Sequence, residues 1–128
     1  MRLYDVAVAA LAIDAPRKWV DNLLSHHEVP DVLIARRGVS RRIPHSALLH
    51  LALARDLHVD LGMSVRDALR LATTLLAGGE GAVHESGHLR VTFDRSGLER
   101  AVRARLGEAL ESAPIPRRGR PRARAATR

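Results

Sequence analysis

The densest chemistry in the sequence is cationic. Arg117, Arg118, Arg120, Arg122, Arg124 and Arg128 crowd the last 16 residues, and no acid accompanies them. Guanidinium groups present a fixed fork of donors that suits phosphate oxygens, so this segment is suited to a polyanion. A second set, Arg36, Arg37, Arg41 and Arg42, brackets Gly38 between two short β-prone runs. A third, Arg17 and Lys18 with Asn22 about one turn on, opens an amphipathic segment. The formal net charge is +7, from 21 cationic residues against 14 acids. Without the six tail arginines, 15 cations face the same 14 acids, and the body carries only +1. Long-range attraction therefore belongs to the tail, while the body has to act through a few placed side chains.

Other chemistries find little support. Seven histidines raise the question of a metal site. His26 and His27 are adjacent and cannot share a helical face. His45, His50 and His58 lack the i, i+4 spacing of a helical zinc pair. His84 and His88 could meet across a hairpin, but a third ligand is missing. There is no cysteine, which removes thiolate metal sites and thiol redox sensing and fits a reducing compartment. Asp56 and Asp60, one helical turn apart, read as a solvated face. With no glycine-rich phosphate loop, nucleophile elbow or paired catalytic carboxylates, the chain is expected to be no enzyme and to hold no cofactor. Trp19, Tyr4 and Phe93 are the only aromatics, too few for the stacking platforms of single-strand binders. No apolar run reaches the ~18 residues of a membrane span, and Met1-Arg2-Leu3-Tyr4-Asp5 does not open like a signal peptide. A cytoplasmic, nucleoid-associated protein with no membrane partner is expected.

The elements that must position these cations follow from periodicity and caps. Asp5 caps a short helix to Leu11, and Ala12-Ile13-Asp14 breaks it. Asp14 then caps a second helix to about His26, with Pro16 in its first turn. Trp19, Val20, Leu23 and Leu24 form the inward stripe of that helix, so Trp19 is expected in the core. Val32 to Ala35 and Val39 to Ile43 pair as a hairpin with arginines at its tip and along its second strand. Pro44 begins a long helix, about His45 to Leu61, which Gly62 ends. Ser64 and Asp67 form a capping-box-like start for a helix carrying Val65, Ala68, Leu69, Ala72, Leu75 and Leu76 on one face. Gly78, Gly79 and Gly81 break it. A second hairpin, Val83 to Glu85 with Leu89 to Phe93, leads to a last helix capped by Asp94 or Ser96 and running to about Ser112. On it, Glu99 can pair with Arg103.

Two short helices, an arginine-tipped hairpin and then a long helix give the order of a winged helix-turn-helix. Residues 4–77 resemble the DNA-binding domain of the MerR-type regulators. The matching pieces are Val6 to Leu11, Pro16 to Leu24, Gly38-Val39-Ser40-Arg41-Arg42-Ile43, Pro44 to Leu61, and Gly62-Met63-Ser64-Val65 to Leu76. The resemblance implies that the second helix enters the major groove of double-stranded DNA. Arg17 and Lys18 would lead there, with Asn22 as a base reader. Arg36, Arg37, Arg41 and Arg42 would contact flanking phosphates. Ala12 stands where the family has a turn glycine, and Ile43 where it has a wing tyrosine. The family's long dimerising coiled coil is absent, since residues 98–110 give only about two heptads.

In the tail, Arg117-Arg118-Gly119-Arg120-Pro121-Arg122 resembles an AT-hook. Narrow A·T minor grooves concentrate negative potential and attract inserted arginines. Gly119 lets the backbone lie on the groove floor, and Pro121 keeps the chain extended.

The expected fold class is mainly α with two small β-hairpins: a winged helix-turn-helix over 1–77, a hairpin and helix over 78–112, and an arginine-rich tail over 113–128. The expected function is sequence-specific binding of double-stranded DNA in transcriptional regulation, as a homodimer. The alternative is a protein-interaction module that grips a partner through 82–112, such as a DNA-binding antitoxin or a nucleoid or recombination accessory protein.

Overall fold

The computed structural model describes residues 2–33 and 41–112. Along the chain lie β1 (Leu3–Tyr4), α1 (Val6–Ala12), α2 (Arg17–His26), β2 (Ile43–Pro44), α3 (His45–Leu61), α4 (Val65–Ala77), β3 (Val83–Ser86), β4 (Leu89–Thr92) and α5 (Arg95–Ser112). The protein is mainly helical with two small antiparallel strand pairs, in line with the coarse fold class expected. No helix among the described residues is long and apolar enough to cross a membrane.

Local chemistry explains most of the helix ends. Asp5 accepts a hydrogen bond from the Val8 amide at 2.9 Å and caps α1. Ser64 does the same for Asp67 at 3.1 Å and starts α4. Gly62 closes α3 in the left-handed conformation, φ 70°, which a side chain would oppose. Asp94, rather than Ser96, caps α5 by accepting from the Gly97 amide at 3.0 Å. Arg95 ties two helices together. Its guanidinium donates to the Leu76 carbonyl at 2.9 Å and to Glu99 at 3.2 Å, joining the start of α5 to the end of α4.

α3 is the central strut. Leu48, Leu51 and Ala47 are fully buried on it, and α4 and α5 both pack against it, while α5 also lies along α1. The inward stripe of α4 is the expected one, with Ala68, Leu69, Ala72, Leu75 and Leu76 buried and Val65 half-buried. Val102 and Leu106 on α5 join the same aliphatic core as α1, α3 and α4. Leu110, near the end of α5, stays exposed at 38%.

Three local expectations are corrected. Asp14 does not cap α2; it sits in the α1–α2 turn with φ 56°, and Pro16 is the N-cap without a side-chain bond. The Pro16 carbonyl accepts from the Trp19 and Val20 amides at 3.0 and 3.3 Å and opens the helix through the backbone. Glu99 pairs backwards with Arg95 at 3.2 Å, not forwards with Arg103, because Arg95 is already held in place by the end of α4. His84 faces Val91 across β3–β4, and His88 lies in the turn, so the two histidines are not cross-strand neighbours.

Of the first expected hairpin the structure describes one antiparallel bridge, between Leu33 and Arg42; residues 34–40, with Arg36 and Arg37, lie outside the described residues. Beyond the bridge the chain runs on into β2, which pairs with β1 in the register Leu3 with Pro44 and Tyr4 with Ile43. This pairing, unforeseen from sequence, buries Ile43 and Pro44 completely.

Candidate nucleic-acid interface

α2 divides cleanly between two environments. Val20 and Leu23 are buried, and Trp19 and Leu24 are half-buried against the core. On the far side, two rows run along the helix at i, i+4, i+8. One is Arg17, Asp21 and Ser25; the other is Lys18, Asn22 and His26. Arg17, Lys18 and Asn22 are exposed together on this face. Ser25 and His26 bond to the carbonyls of Asp21 and Asn22, both at 2.8 Å, which keeps their side chains close to the helix. Arg17, Lys18 and Asn22 are thus exposed beside a low polar surface.

Arg41, expected as a free phosphate contact, is partly committed. One of its terminal nitrogens lies 4.0 Å from Asp21, and the other donates to the Ser25 hydroxyl at 3.2 Å. Arg17 approaches the same carboxylate at 3.9 Å. Asp21 thus sits between two guanidiniums and links the end of the 34–40 segment to the polar face of α2. Such pairs contribute little stability, but they tie both arginines to one carboxylate. Arg42 is exposed beside the Leu33 bridge. Arg117, Arg118, Gly119, Arg120, Pro121 and Arg122 lie outside the described residues.

Beside this surface runs an open cleft of ≈ 430 Å³, lined in part by Leu24, Ser25, Val32, Leu33 and Arg41. It sits where α2 ends and the bridge begins, so contacts to either element run along its edges.

No family model, no curated protein and no solved structure matches this chain. The site's chemistry therefore rests on its own geometry.

One group of residues escaped the sequence reading altogether. Arg55 on α3 lies over the Trp19 ring, 4.9 Å from its centroid, and His58 stacks beside it at 6.0 Å. The ring of His58 is held by the Met63 carbonyl, 2.7 Å from Nδ1. Arg55 and His58 are three apart on one helix, a spacing that could have flagged a shared face, but nothing local names Trp19 as their partner. The stack pins the first turns of α2 to α3 and to the α3–α4 junction. It gives Trp19 a positioning role at the half-buried edge of the core rather than deep within it.

Asp56, one residue from Arg55, has its carboxyl pushed above the ordinary range, mainly by burial and further by Asp60; Arg105 and Arg55 pull it back. Among the described residues, no group of three or more histidine, aspartate or glutamate side chains could hold a metal ion.

Proposed function

We propose that this chain binds double-stranded DNA with sequence preference and acts as a small transcriptional regulator, as a homodimer. In this reading α1 and α2 are a helix-turn-helix, and the segment closed by the Leu33–Arg42 bridge is its wing. The observation that carries the proposal is the polar face of α2, where Arg17, Lys18 and Asn22 stand exposed on a helix whose other face is anchored in the core. A helix of this width fits the major groove, where arginine and lysine suit guanine and asparagine suits adenine. Asp21 is an acceptor in the same row and suits the cytosine amino group. Arg41 and Arg42, at the wing base, face flanking phosphates. Over the tail, the AT-hook-like arginines add long-range attraction and enter the A·T minor groove.

The test is the salt dependence of duplex binding. Titrating a labelled duplex from low to physiological salt should give a log–log slope of about 0.9 per phosphate contact. Replacing Arg117, Arg118, Arg120 and Arg122 by glutamine should flatten that slope. Equal affinity of both proteins at every salt concentration would end the assignment of a DNA role to the tail.

A second reading has one observation in its favour. On the β3–β4 hairpin, Val83 and Leu89 are exposed at 43% and 60%, as on a surface that meets a protein. Co-purification of a stoichiometric partner that masks these two residues would favour the interaction module.

A further inference from the structure

On the side of the molecule where α5 meets α1 and α3, two shallow clefts adjoin. One, of ≈ 290 Å³, is lined by Leu11, Asp14, Arg105, Glu108, Ala109 and Ser112. The other, of ≈ 180 Å³, shares Asp14 and Arg105 with it and continues to Asp56, Val59 and Asp60. Together they make a groove that is apolar and acidic at once. Leu11 and Val59 are exposed at 52% and 55%. Four carboxylates, on Asp14, Asp56, Asp60 and Glu108, face two guanidiniums, those of Arg55 and Arg105, and Arg55 is drawn towards the Trp19 ring. The groove is therefore net negative. The carboxyl of Asp56 is raised mainly by burial and then by Asp60 beside it, with Arg105 and Arg55 pulling the other way.

What lies next to this groove in the chain decides its occupant. Ser112, the last residue of α5, is itself part of the lining. From there the sequence continues Ala113-Pro114-Ile115-Pro116 and then Arg117-Arg118-Gly119-Arg120. The first four residues are apolar and the next carry the tail's charge, matching the apolar and acidic groups that line the groove. An extended chain covers about 3.3 Å per residue, so Arg117 reaches roughly 17 Å from Ser112 and Arg122 about twice that. Both distances suffice to follow a groove that begins at Ser112.

We propose that, without nucleic acid, the segment from Pro114 to Arg122 docks in this groove, with Ile115 against Leu11 and the arginines on Asp14, Glu108 and Asp60. The docking depends on the charge and position of the tail, not on DNA binding. Its consequence, that duplex DNA and the body compete for one tail, rests on the reading given above. Competition would hold the arginines off weak polyanions and release them to a duplex that the body already grips.

Because the chain has no cysteine, one nitroxide label can be placed on the full chain at Ala125→Cys. Relaxation enhancement of backbone amides, at low salt and without DNA, should broaden Leu11, Asp14, Val59 and Asp60 selectively. About 0.5 M salt should abolish the effect, since screening is then nearly complete beyond a few ångströms. Replacing Asp14 and Asp60 by Asn, and Glu108 by Gln, should lower the broadening several-fold, and all three acids are on the surface. Uniform broadening, or none, would overturn the proposal. So would equal broadening in a mixture of labelled protein with unlabelled isotopic protein, which would assign the groove to a second copy. Adding duplex DNA is a separate arm: if selective broadening persists at saturating duplex, docking stands and the DNA role of the tail fails.

Discussion

Trp19→Ala is the perturbation whose outcome the structure specifies most fully. The indole is half-buried, stacked on His58 at 6.0 Å and capped by Arg55 at 4.9 Å. An aromatic pair contributes about 0.5–1.5 kcal/mol and an accessible cation–π contact about 0.5–1. Loss of roughly 100 Å² of apolar contact adds about 2.5 kcal/mol at 25 cal/mol per Å², less whatever the site recovers by relaxing. The expected loss is therefore about 3 kcal/mol, which for a domain near 100 residues lowers Tm by well over 10 °C. Since the chain's one tryptophan is the residue removed, unfolding has to be followed by far-ultraviolet circular dichroism in urea. Trp19→Phe, keeping a ring but losing area, should recover about half. Duplex affinity should fall with the Ala variant even where it is fully folded, because the stack sets the seating of α2. A loss below about 0.5 kcal/mol, with unchanged affinity, would refute the argument that this stack holds the helix.

Other outcomes follow from single residues. Gly62→Ala, at φ 70° with open space around a new Cβ, should destabilise by about 1 kcal/mol through backbone strain alone, read as a lower urea midpoint. Asp56→Asn should stabilise modestly at pH 7, as measured by thermal melts. The raised carboxyl of Asp56 means that the folded state holds its proton more tightly, so wild-type stability falls as pH rises from 3.8 through the folded value, then stays flat. The advantage of the variant should accordingly vanish below pH 3.8. Asp21→Asn should release Arg17 and Arg41 from their shared carboxylate. Affinity for unrelated duplexes should then rise and the salt slope steepen by up to about 0.9 per added phosphate contact.

Helix positions were largely legible because their signals are local. The bounds of α3 and α4 follow from Pro44, Gly62 and Ser64, each of which acts within its own turn. The inward stripe of α4 needs only the 3.6-residue period. What period and caps could not supply was the partner of each face. That α5 lies along α1, that β1 pairs with β2, and that Arg55 and His58 close on Trp19 are choices made between distant segments, with no local trace. The misassigned cap at Asp14 has a similar origin, since a turn aspartate reads as a cap until the chain's path places Pro16 at the helix start. At the candidate site, the exposed face that carries Arg17, Lys18 and Asn22 could be read from amphipathicity. The commitment of Arg41 to Asp21 and Ser25 could not, because it joins residues from two separate elements.

The central claim is sequence-selective recognition by α2. The direct measurement is selection of bound sites from a random duplex library, with the wild-type chain and with Lys18→Ala/Asn22→Ala. The account predicts an enriched motif for wild type, with preference lost at defined base pairs in the variant and roughly 1–3 kcal/mol of discrimination removed for each contact. An absence of any enriched motif for wild type at low salt, or one unchanged by the double substitution, would contradict it.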